Sequence, residues 1–149
     1  MGRKSGRSFS DQDCIFCKIV KGDVPSYMVY EDELFLGFLD ISQFVEGHTI
    51  VIPKKHFEVI WDVPYVDEYF KVVQKIGNHY RDLGFNYVDT LTFGRLVLHA
   101  HVHIVPHNDD NLDWKKALNV IGEFQRDKSR WPDPENGKRI AERFSLLRR

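Results

Sequence analysis

Three histidines at alternate positions are the residues of this sequence best suited to chemistry. His99, His101 and His103 stand in the run L-H-A-H-V-H-I-V that starts at Leu98. Side chains two apart share a face of an extended strand, so the imidazoles should lie on one face and the apolar residues on the other. Neighbouring imidazoles would then be about 6.5 to 7 Å apart along the strand. This spacing suits a bound metal ion or a small anionic group, and both remain open.

Imidazole chemistry favours phosphorus as the reaction centre. A neutral histidine, whose pKa is ordinarily ~6.5, can attack phosphorus while a protonated neighbour stabilises charge or assists the leaving group. This combination is typical of a covalent phosphoryl or nucleotidyl intermediate. The alternative is a hydrolase whose three histidines hold a catalytic zinc ion. Such sites need an open coordination position and usually take their ligands from separated segments.

Cys14 and Cys17 are the only cysteines of the chain, and they form a C-x-x-C pair. Two cysteines this close, in a chain that looks intracellular, indicate metal or redox chemistry rather than a structural disulfide. The alternative is that both are small buried residues.

Strands and helices must position these residues. Runs rich in β-branched and aromatic residues, bounded by turn residues, predict strands at 27–30, 34–39, 48–53, 87–93 and 97–105. Apolar spacing predicts a short helix at 14–20 and a long one at 63–83. A further helix should carry Trp114 to Phe124, a break should follow at 131–137, and a last helix should span 138–147. The order of these elements predicts an α+β fold with an antiparallel sheet.

Composition limits the possible partners. The 149 residues have a formal net charge of -1, with 42% hydrophobic and 29% charged residues. These values predict one compact domain that binds neither polymeric nucleic acid nor a membrane. Residues 1–12 are polar and have no apolar core, so we expect a flexible tail rather than a signal peptide, and a cytoplasmic protein.

Longer stretches of the sequence resemble a known family. H-A-H-V-H-I-V at 99–105 resembles the His-x-His-x-His signature of the histidine triad (HIT) family. D-C-I-F-C-K-I-V-K-G-D-V-P-S from Asp13 and G-H-T-I-V-I-P-K-K-H from Gly47 are also similar to that family. The resemblance implies a HIT-like α+β fold over 13–110, with about five antiparallel strands and a long central helix. It also implies a homodimer. We expect residues 111–149 to form extra C-terminal helices packed on this domain.

The resemblance also implies an activity, which is cleavage of the bond between a nucleoside α-phosphate and its leaving group, an amine or another phosphate. His101 would be the nucleophile that forms a covalent nucleotidyl intermediate, and His99 and His103 would hold its environment. Asp40 would bind the ribose hydroxyls of a purine nucleotide. Four apolar residues would line the base pocket, although such residues also serve as ordinary core: Phe16, Ile19, Leu39 and Ile41.

Some members of the family bind a structural zinc ion. The resemblance assigns this zinc to Cys14, Cys17, His56 and His99, which form a Cys₂His₂ set suited to tetrahedral coordination. The alternative is that the cysteines are simply buried and that His56 caps the approach to a helix.

The sequence departs from the family pattern close to the triad. Arg95 replaces a common glutamine and Leu96 replaces a serine or threonine. Arg95 could still clamp phosphate oxygens, and His107, where an arginine often follows the triad, could add a further phosphate contact. Gln43 stands where a proline is common. These departures motivate a second hypothesis, a catalytically weak nucleotide-binding or scaffold protein.

Overall fold

The computed structural model describes residues 13–147 of the chain. Contacts divide the described residues into two compact units, the first ending at Asn111 and the second starting at Leu112. The expected N-terminal tail, residues 1–12, lies outside the described residues. Over the described part of the chain, no helix combines the length and the apolar composition needed to cross a bilayer.

The first unit is built on one five-stranded antiparallel sheet, as the sequence predicts. The strands follow the order β1-β2-β3-β5-β4 across the sheet. Their bounds are β1 Met28–Glu31, β2 Phe35–Leu39, β3 Thr49–Pro53, β4 Tyr87–Leu91 and β5 Val102–His107. Because β3 and β5 are neighbours, His103 of β5 lies beside β3.

Residues 13–147 form four α-helices in addition to the sheet, which confirms the α+β fold. They are α1 Ile15–Lys21, α2 Val66–Asp82, α3 Leu112–Arg126 and α4 Pro134–Phe144. The first two belong to the unit with the sheet, and the other two belong to the second unit. Short 3-10 turns lie at Ile60–Asp62 and Lys128–Arg130.

Side chains of the strands alternate between two apolar clusters, as expected of a sheet covered on both faces. Residues such as Val51 and Val102 join the buried side of α2 in the larger cluster. Leu36 and Ile50 join α1 in the other. Since Ile50 is the partner of His103 in the β3–β5 register, the α1 cluster lies on the face of the sheet that carries the histidine.

The predicted strand over 97–105 is wrong at its beginning. The observed strand is Val102–His107, and residues 95–99 of the preceding segment form bends. The backbone N–H of Ala100 donates to the carbonyl of Phe57, 2.6 Å away. The chain here therefore bonds to the segment that follows β3 and joins the sheet only afterwards.

The strand also extends past the predicted end at residue 105 and continues through Pro106 to His107. Pairing of β5 with β3 extends to Thr49 and Ile104, whereas pairing with β4 continues to Val88 and Pro106. Past Ile104, β4 is the only strand beside β5 within the described residues. A proline is tolerated there because a strand with one neighbour has backbone positions that need no ladder hydrogen bond.

The last helix begins earlier than the sequence pattern suggests. A break was expected at 131–137 and a helix at 138–147, but the helix spans Pro134–Phe144. Asp133 caps it, since its Oδ1 accepts from the backbone N–H of Asn136 at 2.9 Å. A capping aspartate followed by proline in the first turn is a helix start, so the proline-rich stretch begins the helix.

Candidate functional site

The three histidines of the motif do not form one cluster. His101 and His103 lie together, with ring centroids 5.0 Å apart. His99 is fully buried and faces the two cysteines. The apolar residues between them behave as predicted, since Ala100 and Val102 are both part of the α2 core. The motif therefore serves two neighbouring clusters, one of imidazoles and one of cysteines and histidines.

His101 has a tautomer suited to nucleophilic attack. Its Nδ1 lies 2.7 Å from the carbonyl oxygen of His99. A carbonyl only accepts hydrogen bonds, so Nδ1 carries the proton and Nε2 of the neutral ring carries the lone pair. None of residues 13–147 makes a hydrogen bond to that Nε2. The edge of the Phe16 ring packs on the imidazole at 5.3 Å between centroids and helps to fix its orientation.

His103 is held by a second histidine, His48, which the sequence analysis did not single out. The backbone N–H of Phe44 donates to Nδ1 of His48 at 3.2 Å. His48 therefore carries its proton on Nε2 and donates it to Nδ1 of His103 at 2.9 Å. The remaining proton of a neutral His103 is then on Nε2. His48 precedes β3 by one residue and alternates with Ile50, so strand periodicity could have placed it on the face of His103.

Burial keeps this pair of imidazoles neutral. It lowers the pKa of His103 to about 4, helped by the neighbouring His101 and His48 and opposed by Asp40. Burial also lowers the pKa of His48, again with Asp40 acting in the opposite direction. The carboxylate oxygen Oδ2 of Asp40 lies 3.7 Å from Nε2 of His48 and 3.9 Å from Nδ1 of His103. His103 therefore acts as a neutral hydrogen-bond donor near physiological pH.

The loop after β2 fixes Asp40 through local hydrogen bonds. The backbone N–H of Ser42 donates to Oδ1 of Asp40 at 2.8 Å. The side-chain amide of Gln43 donates to the carbonyls of Asp40 and His48, and its Oε1 accepts from the N–H of Gly47 at 2.8 Å. Gln43 thus ties the two ends of the loop together.

A cavity of about 450 Å³ lies next to Asp40. Asp40 is the one charged residue among the described residues that line it. The four predicted base-pocket residues all line this cavity together with Asp40, the predicted ribose-binding residue. The four are Phe16, Ile19, Leu39 and Ile41. Its walls are apolar with one carboxylate, which suits a flat heterocycle attached to a sugar. Phe16 connects the cavity to His101 because it contacts both.

A second, smaller cavity of about 270 Å³ is lined by His101 itself. It lies between the 3-10 turn that carries Trp61 and the loop after β4 that carries Phe93 and Gly94. Gly94 has φ of +62, a conformation that favours glycine. The sequence motifs did not predict this cavity, because Trp61 and Phe93 lie outside all of them.

The predicted metal ligands converge closely. The ligand atoms of Cys14, Cys17, His56 and His99 all lie within 4.8 Å of one another. The Nδ1 of His99 is 3.3 Å from the sulfur of Cys14 and 3.5 Å from that of Cys17, whose sulfur is 3.3 Å from Nδ1 of His56. Zinc bonds of about 2.3 Å to sulfur and about 2.0 Å to nitrogen at tetrahedral angles separate such atoms by about 3.5 Å.

The surroundings of the four ligands also fit zinc. The Nε2 of His99 lies 2.7 Å from the carbonyl oxygen of Pro53, so Nε2 carries the proton and Nδ1 presents a lone pair towards the sulfurs. Cys14 is the N-cap of α1, and its sulfur accepts from the backbone N–H of Cys17 at 3.4 Å.

The two predicted phosphate-binding residues, Arg95 and His107, are not among the lining residues of either cavity. Arg95 is exposed and lines neither cavity. Nε2 of His107 pairs with Oδ2 of Asp89 at 2.8 Å, and its ring stacks on Tyr87. His107 also stands four residues beyond His103 on β5, about 13 Å along the strand. The structure therefore places His107 away from the imidazole pair, whereas Arg95 directly follows Gly94, which lines the smaller cavity together with His101.

Both the sequence and the fold of this chain are similar to those of known proteins. Residues 21–110 match the HIT domain. A member of the HIT family from Bacillus subtilis, known from a crystal structure, aligns with a TM-score of 0.72 and 35% identity over 92% of this chain and 99% of that chain.

Two further relatives are described by what they bind or do. A Zn-bound histidine triad family protein from Mycobacterium smegmatis aligns with a TM-score of 0.62 and 36% identity, over 68% of this chain and 79% of that chain. Adenosine 5'-monophosphoramidase of Candida albicans is 33% identical over 115 residues, which are 68% of this chain and 74% of the relative.

Proposed function

Because the chain belongs to the HIT domain family, we propose that it hydrolyses the bond between a purine nucleoside α-phosphate and its leaving group through a nucleotidyl-His101 intermediate. The observation that carries the proposal is the tautomer of His101, whose Nε2 lone pair is left for attack by the Nδ1 hydrogen bond to the carbonyl of His99. The monophosphoramidase of Candida albicans supports a phosphoramidate substrate.

The larger cavity supplies the nucleotide-binding part of the proposal. Phe16 and the apolar walls accept the base, and the carboxylate of Asp40 accepts from the ribose hydroxyls. Oδ1 of Asp40 already accepts from Ser42, but each carboxylate oxygen has a second lone pair. Since Phe16 also contacts His101, a nucleoside in this cavity presents its 5'-phosphate towards the nucleophile.

The proposed reaction has two steps. In the first, Nε2 of His101 attacks the α-phosphorus, the bond from phosphorus to the leaving nitrogen or oxygen breaks, and the leaving group takes the electron pair and a proton from solvent. In the second, water attacks phosphorus, the bond to Nε2 breaks with its electron pair returning to Nε2, and the excess proton goes to solvent. The net products are a nucleoside monophosphate and the leaving amine or phosphate.

Neighbouring groups stabilise the charges of these steps. The carbonyl of His99 accepts from Nδ1 of His101 and so stabilises the positive charge of the nucleotidyl imidazole. Nε2–H of the neutral His103 donates to a phosphoryl oxygen. His48 keeps that proton on Nε2 by filling Nδ1.

The four ligands Cys14, Cys17, His56 and His99 fit a structural zinc ion, which the Zn-bound relative supports. When bound, zinc supplies a cross-link between chain segments and takes no part in the reaction steps. His99 connects the two clusters, since its ring is a ligand and its carbonyl holds His101.

Intact mass spectrometry after rapid mixing with adenosine 5'-phosphoramidate tests the proposal. We expect an adduct with the added mass of AMP minus water, and release of AMP. His101→Ala should form no adduct, whereas His79→Ala, which removes an exposed histidine of α2, should behave like the native protein. An adduct of equal yield on His101→Ala would refute the assignment of the nucleophile.

A second candidate function is nucleotide binding without turnover. The side chain of Leu96, where a hydroxyl is common in the family, is 98% exposed and offers no hydrogen bond to a phosphate. Calorimetry with AMP distinguishes the two functions. Binding of AMP combined with neither adduct nor release from the phosphoramidate would favour the second.

A further inference from the structure

An aromatic side chain of the loop after β2 lies against the buried imidazole pair. The ring of Phe44 stacks on that of His48, with 4.3 Å between the centroids and 23° between the planes. It is also nearly parallel to the ring of His103, at 6.1 Å and 20°. His48 is fully buried and His103 is 7% exposed, whereas Phe44 is 43% exposed. Phe44 therefore lies between the imidazoles and solvent.

The backbone of the same loop anchors Phe44 independently of its ring. The N–H of Phe44 donates to Nδ1 of His48 at 3.2 Å, and the N–H of His48 donates to the carbonyl of Val45 at 3.1 Å. Val45 is itself buried. Both bonds use main-chain groups that every residue except proline supplies. A change of the side chain at position 44 therefore keeps these bonds and isolates what the ring contributes.

The ring of Phe44 restricts the orientation of the His48 imidazole. Rotation of a histidine ring about its Cβ–Cγ bond has only broad preferences of its own. A second ring stacked on it at 4.3 Å favours the orientation in which the two planes stay nearly parallel. This orientation matters because Nε2–H of His48 donates to Nδ1 of His103 at 2.9 Å. A turn of the imidazole would move Nε2 out of this contact.

The same contact decides which nitrogen of His103 carries its proton. Burial holds the pKa of His103 at about 4, with His101 and His48 adding to the effect and Asp40 opposing it. Its ring therefore carries a single proton near neutral pH. A donor at Nδ1 leaves that proton on Nε2. Without an oriented donor, a neutral imidazole populates both tautomers.

We propose that Phe44 is a positioning residue of the candidate site: its ring orients His48, and His48 in turn keeps the proton of His103 on Nε2, where it donates to a phosphoryl oxygen. The orientation of the imidazoles depends only on the contacts described above. The donation to a phosphoryl oxygen rests on the proposed hydrolysis. Phe44 acts through His48 and takes no part in making or breaking bonds.

Nitrogen NMR of the imidazoles at pH 8 tests the orientation, because histidines with a pKa of ~6.5 or below are neutral there in every variant. We expect the native protein to hold the proton of His103 on Nε2 and Phe44→Ala to show a mixture of both tautomers. Phe44→Leu, which keeps apolar volume without a flat face, should show the same mixture, whereas Phe44→Tyr should restore the native tautomer. Phe70→Ala is the matched control and should match the native protein, since Phe70 of α2 is also 43% exposed.

Steady-state hydrolysis of adenosine 5'-phosphoramidate connects the orientation to catalysis. The kcat should fall in proportion to the fraction of His103 that carries its proton on Nε2, by about twofold or more in Phe44→Ala. The KM should stay within about twofold of the native value, since Phe44 is not among the residues that line the larger cavity. Phe44→Tyr and Phe70→Ala should keep the native kcat.

The outcomes separate the positioning role from the proposed function. Native tautomers in both Phe44→Ala and Phe44→Leu would overturn the positioning role, and so would a mixture of tautomers combined with a native kcat. No turnover and no nucleotidyl adduct in the native protein would overturn the proposed function and, with it, the catalytic part of this inference. The tautomers in the variants would still decide whether Phe44 orients His48, because their measurement needs no substrate.

Discussion

At the scale of single residues, backbone groups decide which nitrogen atom of each imidazole carries the proton. A carbonyl fixes the proton of His101 on Nδ1, and an amide N–H fixes that of His48 on Nε2. Both contacts come from residues that are close in sequence to the rings they orient. The tautomers are thus set by local chain geometry, and substitutions that loosen the backbone should affect them without changing a ring.

Gln43 offers such a substitution. Gln43→Ala removes the bonds from its amide to the carbonyls of Asp40 and His48, and the acceptor for Gly47. We expect a loss of about 1 to 2 kcal/mol in the free energy of unfolding and weaker binding of AMP, because the loop that holds Asp40 loosens. Urea unfolding and calorimetry measure the two effects.

Gln74 provides the matched control for this variant. It is an exposed glutamine on α2, away from the loop. Gln74→Ala should keep the native affinity for AMP and gain slightly in stability, since alanine is the better helix former. Equal affinities in the two variants would contradict a positioning role for Gln43.

At the scale of secondary-structure elements, the contact between β5 and the residue before β3 couples stability to pH. The pKa of His103 in the folded protein is about 4, against ~6.5 for an unfolded histidine. Between these values the unfolded chain binds more protons than the folded one, so stability falls as the pH falls through this window. The lowered pKa of His48 acts in the same direction.

We therefore expect the native protein to lose up to about 2 kcal/mol in the free energy of unfolding through His103 when the pH falls from 7 to 5. His103→Gln should be less stable than the native protein at pH 7, but its free energy of unfolding should fall less between pH 7 and pH 5. Urea unfolding at both pH values checks this, with His79→Gln on the exposed side of α2 as the control. An equal acid loss in native protein and His103→Gln would exclude His103 as the source.

Residues 99–104 show which structural features the sequence pattern predicts and which it does not. Alternation correctly predicted that Val102 and Ile104 enter the core opposite the imidazoles. It failed at His99 and Ala100, whose hydrogen bonds go to the carbonyls of Pro53 and Phe57. Those acceptors lie more than forty positions earlier in the sequence, and no local pattern encodes such a contact.

The candidate site likewise contains residues that the sequence could identify and others that it could not. The family resemblance located Asp40 and the apolar residues that surround the larger cavity. Local rules could have found His48 by counting along β3. Trp61, in contrast, lies in a 3-10 turn remote from β4, and only the folded chain brings it to the cavity that Phe93 and His101 line.

At the scale of the whole molecule, the Cys and His cluster links distant parts of the first unit. Cys14 and Cys17 lie at the start of α1, His56 follows β3, and His99 precedes β5. Cys14 and His99 are 85 positions apart in the chain. A metal ion bound by these four residues would stabilise the folded state, because it would constrain a long stretch of chain and would bind only where all four ligands meet.

Loss of zinc should therefore lower the stability of the fold, and this effect can be measured without any substrate. We expect native protein and His79→Ala to retain one zinc ion per chain after dialysis against a weak chelator, whereas His56→Ala should lose it. The melting temperature of His56→Ala should fall by roughly 5 °C or more. Elemental analysis and thermal unfolding read out both effects without any substrate.

The rate of nucleotidyl transfer should fall in His56→Ala as well, because the carbonyl of His99 holds Nδ1 of His101, the proposed nucleophile. His56 touches neither cavity, so AMP binding should persist while adduct formation slows. If His56→Ala held zinc and melted like His79→Ala, the four-ligand site would be wrong. If it lost zinc yet formed the adduct at the native rate, zinc would stabilise the fold without any bearing on how His99 orients His101.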